Sequence, residues 1–300
     1  MFTTVLRDYR RFRSGQRSRP PIIYDVNLSS LPEHIVARYI ALHMDDETSN
    51  WVSNAGDVAP AKVMMVEFLR HFVSLTTANG IVGRGRMFVL STLQAVRLLL
   101  GREWNGDIMS CRSSPPFDSL LDIGAGDGGV TSKLEPLFRT VTVTEYSVPM
   151  RWRLWWRGYE VLPYQSPFTD SSGSQRYYDV ISCLNVLDRA DRPLDLLCSM
   201  RDSLRADGIL LLAVVLPWCP FVEDGNRQRA PSQHLPMEGG ECCKGATFEQ
   251  SLQLLVDKVL VPCGFQLERW CKLPYLCEGN MKVEYAVLYD AVMVLRKANA

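Results

Sequence analysis

The sequence predicts an α/β fold: a doubly wound, Rossmann-like sheet of seven strands preceded by an amino-terminal helical extension. Three observations predict it. After Pro115-Pro116, short apolar runs alternate with helical patterns, the signature of βαβ units on a parallel sheet. A glycine-rich turn, Gly124-Ala125-Gly126-Asp127-Gly128-Gly129, follows the first of those runs. The last two runs are joined by a connection too short for a helix, which favours an antiparallel closing pair.

Residues 1–30 read as a basic, flexible arm. Arg7, Arg10, Arg11, Arg13, Arg17 and Arg19 face a single acid, Asp8, in the first nineteen positions. That composition resembles a weak mitochondrial transit peptide, without the apolar stretch of a secretory signal. A plain solvated tail is the preferred reading. Residues 31–114 read as a helical cap. Ile35, Val36, Tyr39, Ile40 and Leu42 recur at near-helical spacing, and a second helix is expected over Ala59–Leu75. Ser91 followed by Gln94 predicts a capping box that opens a third. Between them, Asn79–Phe88 holds three glycines and two arginines and reads as a turn-rich loop facing a ligand.

Residues 115–300 form the expected sheet domain. Strands are predicted at Ser119–Ile123, Thr140–Thr144, Glu160–Pro163, Asp179–Cys183, Ile209–Val215, Phe265–Lys272 and Tyr285–Leu295. Helices are predicted near Gly129–Leu137, Pro149–Arg157, Pro193–Leu204 and Phe248–Val261. Trp152, Trp155 and Trp156 on the second of these read as packing residues. Residues 217–247, rich in proline and without periodicity, read as a lid at the carboxyl end of a strand.

Composition narrows the function. The 300 residues are 47% hydrophobic, enough for a sizeable core, which excludes global disorder. Lys plus Arg equals Asp plus Glu at 33 each, so no global field attracts nucleic acid and no nucleic-acid partner is expected. Nine cysteines without a C-x-x-C pair read as reduced thiols in a reducing compartment, hence an intracellular, cytoplasmic address. No apolar run reaches membrane-span length. Four histidines stand far apart, so no metal site is expected.

The strongest motif is Leu120-Leu121-Asp122-Ile123-Gly124-Ala125-Gly126-Asp127-Gly128-Gly129. A buried strand runs into glycines that let the backbone approach a ligand closely. The spacing lacks the two-residue gap of the dinucleotide fingerprint, and Asp122 and Asp127 would repel a diphosphate. Glu145 ends the next predicted strand, where a carboxylate grips two ribose hydroxyls. S-adenosylmethionine, which is cationic at sulfur and carries no phosphate, fits better than NAD or FAD. Asp122, Gly124, Gly126 and Glu145 are therefore the candidate cofactor residues of a methyltransferase. The fourth strand runs into Asn185 and Asp188, which should lie beside the transferred methyl group. The plainer alternative is that Asp188 caps the helix near Pro193.

Three segments together resemble the DREV, or methyltransferase-like 9, family. They are the glycine motif, Ser182-Cys183-Leu184-Asn185-Val186-Leu187-Asp188-Arg189 and Leu273-Pro274-Tyr275-Leu276-Cys277-Glu278-Gly279. The Gly83–Phe88 loop and Leu216-Pro217 match as well, and the similarity runs from about residue 60 to the end. The resemblance implies a class I protein-histidine methyltransferase acting on the Nδ1 (pros) nitrogen of His-x-His motifs with a small middle residue. It also implies that Asn185 and Tyr275 contact the cofactor and that Asp188 engages the target imidazole. Related proteins tend to carry a Tyr-Tyr pair where this chain has Tyr285-Ala286. Two alternatives stay open: a methyltransferase acting on RNA or a small molecule, with Arg84 and Arg86 as a phosphate clamp, and a non-catalytic scaffold on the same fold.

Overall fold

The computed structural model describes residues 12, 14–101, 104, 107–237, 243 and 245–298. Residues 1–11 and 13 of the expected basic arm lie outside them, as do residues 238–242 and 244 of the expected lid.

One sheet organises the chain. Its strands are β1 (Met87–Phe88), β2 (Phe117–Ile123), β3 (Phe138–Thr144), β4 (Glu160–Leu162), β5 (Tyr178–Leu184), β6 (Leu204–Val215), β9 (Phe265–Glu278) and β10 (Tyr285–Lys297). The short pair β7 (Val222–Asp224) and β8 (Arg227–Arg229) forms a separate hairpin. The spatial order is β1-β9-β10-β6-β5-β2-β3-β4. Pairing is parallel from β6 through β4 and antiparallel where β10 meets β6 and β9. The chain winds outward through β2, β3 and β4, then returns to place β5 on the other side of β2. Winding reverses between β2 and β5, and that switch point opens the crevice in which sheets of this kind bind ligands.

The sheet has eight strands, not the expected seven. The seven predicted strands are all present. The eighth is β1, which pairs Met87 with Cys277 and Phe88 with Leu276 on the edge of β9. Two residues carry too little pattern to mark a strand.

Alternation along each strand feeds two cores. Leu121, Ile181, Leu210 and Leu212 point to one face, while Leu120, Val180, Ile209 and Leu211 point to the other. The helices are α1 (Glu33–Val36), α2 (Asp46–Ala55), α3 (Pro60–Leu69), α4 (Leu75–Val82), α5 (Thr92–Leu99), α6 (Ile108–Ser113), α7 (Thr131–Leu134), α8 (Val148–Trp156), α9 (Pro193–Ser203) and α10 (Phe248–Leu255). Leu197 and Met200 of α9 and Leu252 and Leu255 of α10 cover the first face. Val96, Leu98 and Leu99 of α5 and Leu134 of α7 cover the second. Burial of the apolar stripe of each helix contributes roughly 25 cal/mol per Å² of surface withdrawn from water.

Several local expectations are corrected. The helix begun at Leu31 stops at Val36, because Ile40 N–H donates to Trp270 O and Trp270 N–H to Arg38 O, which draws the chain out along β9. Backbone pairing outweighs the helical spacing of the side chains. The expected Ala59–Leu75 helix ends at Leu69, and Ser74 caps a new one at Leu75 by accepting from Thr77 N–H. The loop expected over Asn79–Phe88 shrinks to Gly83–Arg86, since Asn79–Val82 finish α4. The Ser91–Gln94 capping box forms as expected, with both reciprocal bonds.

Trp152, Trp155 and Trp156 are not packing residues: they are 60%, 61% and 76% exposed, and Met150 and Leu154 face the core instead. The described part of 217–247 is tied down by Phe221 N–H on Asp188 O, Gln233 N–H on Asp191 O and Cys243 N–H on Trp218 O. Cys219 is disulfide-bonded, whereas Cys111, Cys183, Cys198, Cys263, Cys271 and Cys277 are free thiols. Cysteine usage therefore no longer argues for a reducing compartment. Cys242 lies outside the described residues. Among the described residues, no helix is long and apolar enough to cross a membrane.

Candidate active site

The glycine turn sits at the carboxyl end of β2. Gly124 and Gly126 adopt φ of +70° and +59°, the left-handed region that a Cβ disfavours. Space enforces the choice at Gly124, where a Cβ would stand 2.5 Å from Val186 Cγ2. The turn after β2 and the turn after β5 thus pack backbone against side chain across the switch point.

Asp122 builds this turn from inside. Its Oδ2 accepts from Thr131 Oγ1 and its Oδ1 from Ser182 Oγ, both at 2.6 Å. One carboxyl ties β2 to the first turn of α7 and to β5. It is 3% exposed, and burial pushes its pKa up to about 6 against the two hydroxyl bonds. Each oxygen accepts one bond within the protein, and through these bonds Asp122 sets the position of the loop. Asp127 is half-buried, and its Oδ1 accepts from Gly129 N–H at 2.9 Å within the turn.

Glu145 follows β3 directly and lies over the same turn. Its Oε2 accepts from Gly126 N–H at 3.0 Å and its Oε1 from Ser147 N–H at 2.7 Å. Burial raises its pKa, opposed by those backbone bonds. Each carboxylate oxygen keeps a lone pair beyond the one so used, enough for two vicinal hydroxyls. Tyr146, the next residue, and Tyr164 beyond β4 stand edge to face at 5.0 Å. Both rings are exposed at the carboxyl edge of the sheet, at 66% and 39%, and offer a stacking surface beside Glu145.

Across the switch point, Asn185 ends β5 with φ of +59°, the only described non-glycine residue with positive φ. Its N–H donates to Ala213 O at 2.9 Å, and its Nδ2 donates to Asp290 Oδ2 at 2.7 Å. Its Oδ1 is buried without a partner. Asp188 lies in a short 3₁₀ turn, Leu187–Arg189, and is 2% exposed. It does not cap α9, whose N-cap is Arg192 without a side-chain bond. Asp188 Oδ2 meets Arg189 Nη2 at 3.2 Å, while Oδ1 has no partner. Burial raises its pKa, and the neighbouring guanidinium opposes the shift. Arg189 is itself held under the Phe221 ring at 3.6 Å.

Tyr275 on β9 completes the wall. Its hydroxyl donates to Met87 Sδ at 2.6 Å, and burial holds its pKa well above the usual phenol range, with Asp290 and Asp188 adding to the shift. Met87 Cε in turn lies 3.5 Å from where a Cβ on Gly126 would sit. Positions 122, 124, 126, 145, 185, 188 and 275 are therefore brought to one end of the sheet.

Two residues of this site went unread in the sequence. Asp290, on β10, carried one signal: a lone acid in the apolar run Leu288–Leu295. Met87 carried none. The loop that precedes it is anchored by Glu278 Oε2, which accepts from Gly85 N–H at 2.6 Å and Arg86 N–H at 3.2 Å. Arg84 is consumed there as well, donating from Nη2 to Gly279 O at 2.5 Å and facing Glu278 at 3.6 Å. It is 9% exposed and unavailable as a phosphate clamp.

The residues fit a methyl donor of the expected kind. Glycines without room for side chains, a carboxylate with spare lone pairs and unpartnered buried oxygens suit a cationic ligand bearing a ribose and no phosphate. The fold and this crevice define a class I S-adenosylmethionine-dependent methyltransferase. The chain belongs to the DREV methyltransferase family, whose model matches residues 23–297. Among solved structures, it is similar to an S-adenosylmethionine-dependent methyltransferase from Clostridium acetobutylicum, at 16% identity over 69% of this chain and 98% of that one, TM-score 0.37. It is also similar to the 1,6-didemethyltoxoflavin-N1-methyltransferase of Burkholderia thailandensis, at 19% identity over 64% of this chain and 76% of that one, TM-score 0.40.

Proposed function

We propose that the chain is a protein-histidine N-methyltransferase that acts on Nδ1 of histidine in His-x-His motifs with a small middle residue. The observation that carries this reading is Asp188. A carboxyl 2% exposed, with one oxygen unpartnered, stands beside Asn185 at the switch point. Such an oxygen needs a buried N–H donor, and leaving it without one costs about 1–3 kcal/mol.

A neutral imidazole supplies that donor. Asp188 accepts the Nε2–H of the target ring, which fixes the tautomer and leaves the Nδ1 lone pair facing away. S-adenosylmethionine, when bound, supplies a methyl group on a positively charged sulfur. As the N–CH₃ bond forms, the S–CH₃ bond would break with its electron pair left on sulfur as a neutral thioether. The ring becomes cationic, the Asp188 carboxylate stabilises that charge in a water-poor site, and the Nε2 proton is then lost to solvent. Glu145 would hold the ribose, the Gly124–Gly126 turn would leave room for the donor, and Tyr146 with Tyr164 would offer an aromatic surface to its base. Asn185 and Tyr275 would contact the donor. The substrates are proteins bearing such motifs; of the two arginines of the alternative phosphate clamp, Arg84 is spent on Glu278 and Gly279 while Arg86 is exposed.

The test is incubation with a His-x-His peptide and S-adenosylmethionine, followed by fragmentation to place the methyl group. Methylation at Nδ1, lost in Asp188→Asn, is the expected result. An unmodified peptide alongside methylated RNA or small molecule would overturn the reading.

A further inference from the structure

Asp290 is 0% exposed on a strand whose following residues, Ala291 to Leu295, are all buried and apolar. An acid in such a place destabilises the fold unless its polar atoms are satisfied. Only one is: Oδ2 accepts Asn185 Nδ2 at 2.7 Å, and Oδ1 has no partner.

The bond has a directional consequence. An asparagine amide has one donor end and one acceptor end. Because Asp290 engages the donor end, the acceptor end, Oδ1 of Asn185, is the one left unpartnered in the crevice. It shares that state with Asp188 Oδ1. Two unpartnered acceptors three residues apart in the chain select groups rich in N–H donors and positive charge, which both the methionyl ammonium of the donor and a target imidazole provide. Asn185 is also held at φ of +59°, a conformation asparagine tolerates but that needs external support.

We propose that Asp290 is a positioning residue that locks the Asn185 amide with its carbonyl oxygen toward the methyl donor and the donor end away from it. The proposal rests on the reading of this crevice as the methyl-transfer site. Burial holds the Asp290 carboxyl well above its ordinary pKa, with the charge of Asp188 adding to the effect. In either protonation state one oxygen remains to accept Asn185 Nδ2, so the role needs an acceptor and not a charge.

Calorimetry with S-adenosylmethionine on the full chain, alongside thermal unfolding, tests this on Asp290→Leu and Asp290→Asn. Asp290→Leu frees the amide to turn and should weaken donor binding about tenfold or more, the equivalent of one hydrogen bond. Its unfolding temperature should fall, because Asn185 Nδ2 loses its acceptor, and the protein should stay folded at the assay temperature; a merely structural role predicts the same fall with donor affinity unchanged. Asp290→Asn retains an accepting oxygen and should restore binding to within about threefold of wild type, which is under 1 kcal/mol. Asp290→Ala serves in place of Leu if the larger side chain prevents folding. Wild-type affinity in Asp290→Leu or Asp290→Ala, or equal weakening in Asp290→Asn, overturns the proposal. A wild-type protein that binds the donor yet methylates no His-x-His peptide refutes the substrate reading and leaves this comparison standing.

Discussion

Replacing Asp122 by Asn separates loop building from charge. The wild-type carboxyl accepts two hydroxyl bonds, from Thr131 and Ser182. An amide keeps both contacts, because either hydroxyl turns to accept from the new NH₂. What changes is titration. Burial moves the folded pKa from 3.8 to about 6. A raised acid binds its proton more tightly in the folded chain, so its contribution is fully present below pH 3.8 and is lost as pH climbs through about 6. The span corresponds to about 3 kcal/mol at 1.36 kcal/mol per pKa unit. Urea unfolding of both proteins from pH 4 to pH 7.5 checks it. Asp122→Asn should gain on wild type by up to that amount across the interval, while donor affinity changes by less than about tenfold. Parallel pH profiles would refute the assigned burial. A loss of donor binding beyond a hundredfold would refute the view that Asp122 acts on the turn rather than on the ligand.

Other outcomes follow from the same geometry. Glu145→Ala removes the ribose grip and leaves Gly126 and Ser147 N–H without their acceptor; calorimetry should show donor affinity lower by about 10–150-fold, from charge-assisted bonds worth roughly 1.5–3 kcal/mol. Gly124→Ala forces a Cβ to within 2.5 Å of Val186 Cγ2 at positive φ, so donor binding should collapse, and adding Val186→Ala should recover part of it in the same assay. Asp188→Asn should lower the single-turnover rate on a His-x-His peptide far more than it lowers donor affinity; equal rates would remove Asp188 from the reaction.

The parts of the site that could be read from sequence are those built by neighbours in the chain. The glycine turn and Glu145 each carry their signal within a few residues, because strand, turn and acid are consecutive there. The Ser91–Gln94 cap is legible for the same reason. Helix α2 escaped notice because its ten residues, Asp46–Ala55, are mostly polar; it is set by Asp45, whose side chain accepts from Thr48 N–H, rather than by apolar spacing. The stretch after Val36 was misread because pairing with Trp270, more than 200 residues on, decides its conformation. Asp290 and Met87 belong to this second kind. Each acts through a partner far away in the chain, Asn185 in one case and Tyr275 in the other, and local pattern does not encode such pairs. The tryptophans of α8 show a further limit: three large rings at helical spacing look like a core stripe, and only the placement of the opposite face against β4 reveals which side is wet.

The two-residue strand at Met87–Phe88 binds the fate of the early chain to that of the catalytic crevice. Trimming the protein to a minimal sheet beginning at Pro115 would strip the thioether from beside Tyr275 and uncover the backbone of β9 as a raw edge, open to pairing with other molecules. The shortest autonomous version must therefore start upstream of Gly83, where Glu278 begins to hold the incoming loop.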